Sequence, residues 1–359
     1  MSVFSSKSSF PANFLIRPTG PQKFKVCELI SKERAKNSGK KQFCIITYSN
    51  PAKNKPTPGF YDVGAEENCD SCSFSTIENP PLVLKAGTTR HEYIQKINFL
   101  KEQIQKGNIY EINYCVNFFS DEQEIDPLSV YLKLNEFTKA PYSSMVKLGD
   151  DFIISGSPEL FLKKEGQLLS TKPIKGTARR GKDKEEDLHL KEQLYNSVKE
   201  RTENVMAVDV ARNDLSRLAK RGTVEVNKLY NIETYETVHH MVSTVKCELR
   251  DEITFDEIID ATFPMASMTG APKIKAMQLI DESETFNRNF YSGAMGVIEE
   301  NGDFELSVNI RSVFYNQKTK QLSIAVGSAI THLCEPEKEY DECLLKANAL
   351  LRALNAGVE

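Results

Sequence analysis

Residues 151–174 read DFIISGSPELFLKKEGQLLSTKPI, two runs rich in strand-forming residues separated by a glutamate and a glycine. The pattern predicts a β-hairpin turning at Glu165-Gly166. A two-residue turn there sets Glu159 opposite Lys172, with Lys175 three residues further on, roughly 10 Å of strand. Strict alternation puts Glu159 and Lys175 on opposite faces. Pro173 cannot donate to a ladder and should break that register. The hairpin thus permits an acid–amine pairing without requiring one, and a solvated loop lysine is the simpler reading of any single lysine.

Outward from the hairpin, strands and helices come in runs. HEYIQKINFLKEQIQKG carries Tyr93, Ile97 and Leu100 at helical spacing and ends at Gly107. YEINYCVNFF reads as a strand. Helices are predicted from about 184 to 220, at 255–262 and 271–283, and from about 336 to 354. FYSGAMGVIEE, FELSVNIRSVFYN and QLSIAVGSAI read as three strands. Such runs, without strict strand–helix alternation, favour antiparallel sheets packed with helices, an α+β arrangement. Residues 50–80, rich in Pro, Gly, Asn and Ser, read as a long loop after a short N-terminal segment. No internal repeat is visible.

The chain of 359 residues, 40% hydrophobic and 27% charged, is long enough for a large core. A formal net charge of −4 gives no sign of nucleic-acid binding or a polybasic membrane surface. No apolar run approaches the roughly 18 residues of a membrane-spanning helix. The first 27 residues contain no acid and several serines, which suits a transit peptide and an ordinary N-terminus alike. Eight scattered cysteines fit reduced thiols in a cytoplasm better than a disulfide framework. CDSC, Cys69 to Cys72, has metal-like spacing but no second pair answers it, and it reads as a loop.

Three stretches offer chemistry. VMAVDVA, residues 205–211, is apolar nearly all round and should be buried, with Glu203 just before it and Asp209 within it. Arg212 is a ready partner for Asp209; Glu203 has no evident local one, which leaves room for a metal beside the simpler reading of an ion pair. In the last helix Tyr340, Leu344, Ala347, Leu351 and Leu354 form a core stripe. Glu339, Glu342 and Lys346 form a second stripe, a solvated face or a Mg²⁺ site. FPMASMTGAPKIKAMQLI runs a small polar loop into a helix, with backbone N–H groups near Ser267 to Ala271 free to hold an anion or hydroxyl.

Taken together, PIKGTARRG, ERTENVMAVDVARNDLSRLA, FPMASMTGAPKIKAM, YSGAMGV, NIRSV and EPEKEYDECLLKA, in this order, closely resemble the chorismate-utilising enzymes. The resemblance runs from about residue 90 to the C-terminus. It implies the fold of anthranilate synthase component I, two antiparallel β-sheets packed as a sandwich flanked by helices. Residues 1–85 would then add to the sheets, and residues 86–359 would form the chorismate-binding catalytic domain.

Within the family, PIKGT rather than PIAGT is characteristic of aminodeoxychorismate synthase component I, and the resemblance implies that Lys175 is its nucleophile. It further implies that Glu159 is the acid/base and that Glu203 and Glu342, with Glu339 nearby, hold Mg²⁺ against the ring carboxylate. The enolpyruvyl carboxylate would go to Arg311, Tyr291 and Gly327, with Lys346 adding charge; His240 and Ser267 would contact the ring. The implied substrates are chorismate and ammonia, the latter from a separate glutamine amidotransferase subunit, and the product is 4-amino-4-deoxychorismate for 4-aminobenzoate and folate synthesis. A cationic, partly dry pocket that depresses the Lys175 pKa is expected.

Two departures stand out. GNIYEIN places Glu111 where the family has glutamine and isochorismate and salicylate synthases have lysine. GSAIT places Ala329 where a glycine is usual. Anthranilate synthase component I is the nearest rival, which Lys175 speaks against. An inactive chorismate-binding subunit is disfavoured by the intact acidic and basic set. A lysine Schiff-base aldolase lacks the expected barrel periodicity.

Overall fold

The computed structural model describes residues 10–20, 23–31, 39–49, 56–69 and 77–359. Among them, the strands form one hydrogen-bonded network rather than two separate sheets, which corrects the expected sandwich of two. From one end the network runs through Leu82–Ala86, Glu111–Ser120, Leu322–Ile330, Ser312–Asn316, Asp151–Ser157 and Tyr142–Leu148. It then passes through four N-terminal strands, Phe14–Gly20, Lys23–Ser31, Gly59–Cys69 and Gln42–Ile46. From there it continues to Ala294–Ile298, Phe304–Val308, Leu160–Glu165, Leu168–Thr171 and Val238–Glu248. All these pairings are antiparallel; Ala356–Val358 adds a parallel strand beside Leu82–Ala86.

The N-terminal strands therefore join two arms of the sheet. Leu15, Phe43, Val146, Ile153, Met295 and Val297, drawn from both arms and the junction, share one buried cluster. A larger core packs the helices Arg90–Gln105, Pro127–Thr138 and Pro336–Leu354 on one arm. A third core sets Val198–Ser216 and Phe255–Thr262 on the other. Thr89 and Glu92 close a capping box at the first helix, whose buried residues are the expected Tyr93, Ile97 and Leu100.

Several local readings change. The expected loop at 50–80 contains the eleven-residue strand Gly59–Cys69; its Tyr61 and Val63 are apolar enough to pack between two neighbours. FELSVNIRSVFYN is two strands, Phe304–Val308 and Ser312–Asn316, broken at Asn309–Arg311. The helix around VMAVDVA buries one face only. Val205 is 41% exposed, and Asp209 pairs with Arg212 at 2.9 Å on the surface. Its buried face is Glu203, Asn204, Ala207, Val208, Ala211, Asp214 and Leu215. Cys27, Cys44, Cys115, Cys247, Cys334 and Cys343 are buried and form no disulfide; the CDSC stretch beyond Cys69 lies outside the described residues. No helix among the described residues is long and apolar enough to cross a membrane.

Candidate active site

The hairpin turns one residue later than expected. Glu165 pairs with Leu168 and Lys164 with Leu169, so Gly166, at φ +58°, opens the turn rather than closing it. Extended past Pro173, this register brings Glu159 level with Ile174 instead of Lys172. The Ile174 backbone N–H accordingly lies close enough to pull the Glu159 pKa down. Next along the chain, the ladder between Ile174–Arg179 and Val238–Glu248 slips between Ile174 and Thr177. Gly176 sits there at φ +90°, so Lys175 occupies a bulge that redirects its side chain. The bulge is how a residue expected on the far face comes to lie buried near Glu159.

Lys175 Nζ donates to Glu111 Oε1 at 2.5 Å, with both side chains buried. Burial alone would lower the ammonium's pKa, but Glu111, Glu203 and Glu159 outweigh it and hold Lys175 above its ordinary value. This overturns the expectation of a depressed pKa: the surroundings of this amine are anionic. Burial pushes Glu159 up to about 7, against the pull of the Ser267 hydroxyl, the Lys175 charge and the Ile174 N–H. Ser267 Oγ is buried and makes no hydrogen bond of good geometry, so its effect on Glu159 is that of a nearby dipole. The Ser267 carbonyl accepts from Asn113 Nδ2 at 2.9 Å.

The N-terminal halves of two helices, Val198–Ser216 and Pro336–Leu354, bring Glu203, Glu339 and Glu342 together around Lys199. Lys199 Nζ lies 3.0 Å from Glu339 Oε1, 3.4 Å from Glu342 Oε2 and 4.0 Å from Glu203 Oε1. Glu342 also pairs with Lys346 at 2.7 Å. Burial acts to raise its pKa, but the two ammonium groups prevail and hold it at about 2. Glu203 goes the other way, raised by burial to about 8.

These residues suit a hard divalent cation. Mg²⁺ takes one or two carboxylates together with waters and an anionic ligand, and Glu203 Oε1 and Glu339 Oε2 are buried with no hydrogen-bond partner. Among the described residues, no three His, Cys, Asp or Glu side chains form a ready-made metal cluster. The ammonium of Lys199 stands between the three candidates instead.

On the other side of Glu342, Lys346 Nζ donates to the Gly327 carbonyl at 2.8 Å. Arg311 Nη1 donates to the Lys346 carbonyl at 3.1 Å, its one side-chain hydrogen bond among the described residues. Arg311 lies in the strand break at φ +52°, a costly conformation for a residue with a side chain. The break turns a would-be strand residue towards the C-terminal helix. Gly327 faces Cys115 across the ladder, and a Cβ there would come within 2.5 Å of Asn113 Oδ1 and Cys115 Sγ. Tyr291 is buried with its hydroxyl against the same cysteine. His240 Nδ1 pairs with the Thr177 hydroxyl at 2.9 Å; burial and the Arg311 charge lower its pKa to about 4, leaving a neutral ring.

All eleven nominated residues thus fall in one connected region. Sequence reading missed Lys199 as a member and Glu111 as the partner of Lys175. The first was detectable as an i,i+4 pair with Glu203; the second had only its departure from the family pattern as a signal. Asn309, fully buried with both side-chain polar atoms unpaired, was also missed.

The family described as chorismate binding enzymes matches residues 21–352. Aminodeoxychorismate synthase component 1 of Bacillus subtilis is 37% identical over 271 residues, covering 76% of this chain and 57% of that protein. Anthranilate synthase component 1 of Acetivibrio thermocellus is 34% identical over 278 residues, covering 77% of this chain and 56% of that one. The chain thus spans little more than half the length of these curated relatives. The crystal structure of anthranilate synthase component I from Streptococcus pneumoniae superposes with a TM-score of 0.76 at 23% identity, over 89% of this chain and 82% of that one.

Proposed function

The chain belongs to the family of chorismate binding enzymes, and on that premise we propose that it is the synthase component that places ammonia on chorismate to give 4-amino-4-deoxychorismate. The observation carrying this reading is the buried Lys175, delivered by a bulge to the neighbourhood of Glu159. A solvated loop lysine would be neither buried nor ringed by carboxylates. Relatives named aminodeoxychorismate synthase component 1 support the reading, and those named anthranilate synthase component 1 keep the rival product in play.

The chain's own groups account for the steps. Arg311, Lys346, Tyr291 and the Gly327 backbone receive the enolpyruvyl carboxylate, and Ser267 and neutral His240 line the ring. Lys175 passes its proton to the adjacent Glu111 carboxylate, and the free amine attacks ring C2. As the ring double bonds shift, the C4 hydroxyl leaves as water with the proton held by Glu159, whose pKa of about 7 keeps it acidic enough to give and basic enough to recover one. Ammonia then adds at C4 and the Lys175 amine departs from C2. Mg²⁺, held by Glu203 and Glu342 with Glu339 beside them, would supply charge neutralisation at the ring carboxylate. The ammonia source is a separate glutamine amidotransferase subunit, in keeping with the component 1 names of the relatives.

The test is direct. Purified protein with chorismate, Mg²⁺ and an ammonium salt should yield a product that a lyase converts to 4-aminobenzoate, resolved by chromatography. Anthranilate as the product, or unchanged chorismate, overturns the proposal. Activity undiminished in excess chelator removes the metal from it.

A further inference from the structure

We propose that Lys199 is a built-in counter-ion for Glu203, Glu339 and Glu342, and that a divalent cation must displace its ammonium to bind there. The inference rests on the metal reading of those carboxylates but not on which product the enzyme makes.

Three acidic side chains converge from the N-terminal halves of two helices, and two of them are almost fully buried. Only Glu339 lies in the first turn of its helix, where the dipole helps to carry charge, and carboxylates crowded in a dry place need a cation. Lys199 supplies one, at 3.0, 3.4 and 4.0 Å. It does so incompletely: Glu203 Oε1 and Glu339 Oε2 remain without hydrogen bonds.

The ammonium occupies the space between the three carboxylates, and a cation held by them would compete with it for that space. Mg²⁺ held by these carboxylates would need their oxygens free of the ammonium, and two cations crowded there would repel each other. The lysine can leave. Its side chain is 45% exposed, it stands in the first turn of its helix, and its stem can swing to solvent without disturbing the core. Binding is therefore an exchange of cations, and the strength of the Lys199 contacts is subtracted from the metal's affinity.

The experiment compares Mn²⁺ binding, read by electron paramagnetic resonance without chorismate, in the unaltered protein, Lys199→Met and Lys199→Arg. Methionine keeps the stem and removes the charge, and should bind Mn²⁺ about tenfold or more tightly than the unaltered protein. Arginine keeps the charge and should not. In parallel, acetic anhydride labelling mapped by mass spectrometry should show Lys199 more reactive once Mn²⁺ is added. Equal Mn²⁺ affinity in the unaltered protein and Lys199→Met, or labelling indifferent to Mn²⁺, overturns the exchange while leaving the metal site standing. No Mn²⁺ binding in any of the three proteins overturns both.

Discussion

Lys175 Nζ and Glu111 Oε1 lie 2.5 Å apart in the interior, so the proposed nucleophile is paired with the residue that departs from the family's glutamine. Glu111 is the strongest of the charges that raise the Lys175 pKa. Glu111→Gln keeps a hydrogen-bonding side chain and removes the charge. The ammonium should then release its proton at lower pH, and the rate of single-turnover reaction with chorismate should reach its half-maximum about one pH unit lower or more. An unmoved midpoint shows that Glu111 does not govern the amine.

Glu159 should make the fold sensitive to pH. Its carboxyl holds a proton up to about pH 7 in the native state, against a value of 4.5 when unperturbed. The native state thus binds more protons in that interval, and the associated stability is complete below 4.5 and lost as pH rises through 7. Thermal unfolding should shift down across this window by the equivalent of roughly 3 kcal/mol from this group. Glu159→Gln should flatten the slope and stop catalysis together. A slope identical to that of the unaltered protein contradicts the assignment.

If Lys175 attacks C2, incubation with chorismate and Mg²⁺ in the absence of ammonia should trap a covalent adduct. Its mass should be that of chorismate less one water, and peptide mapping should place it on Lys175. Lys175→Ala should form none. Mapping to Lys172, whose Nζ pairs with Glu233 at 3.4 Å, would defeat the mechanism.

Gly327→Ala tests the carboxylate pocket through packing. Its Cβ would press on Asn113 Oδ1, Cys115 Sγ and the Tyr114 carbonyl, an overpacking expected to cost about 1–3 kcal/mol. Because Lys346 binds the Gly327 carbonyl, KM for chorismate should rise along with the loss in Tm. A normal KM in a folded variant would place the substrate elsewhere.

Much of this was legible in the chain. The helical periods around Tyr93 and Tyr340 and the ordered motifs from Lys175 to Lys346 located the elements and the candidate site. What escaped depended on single residues in unusual conformations. The Gly166 turn and the Lys175–Gly176 bulge moved the register by steps that alternation cannot anticipate. The strand break at Arg311 was hidden inside a run that reads as one strand. Charges were harder still: the acidic surroundings of Lys175 come from Glu111, Glu159 and Glu203, three distant segments whose convergence only the tertiary fold reveals.

The N-terminal strands bear on how the polypeptide can be cut. Phe14–Gly20 covers the edge of Tyr142–Leu148, and Gln42–Ile46 covers that of Ala294–Ile298. Those two edges belong to the stretch that carries the catalytic motifs. A fragment beginning near residue 86 would keep every nominated side chain yet expose two long, apolar strand borders, open to pairing with other copies. The four N-terminal strands are thus a clasp against aggregation, and the stretch that carries the nominated residues is not by itself a portable unit.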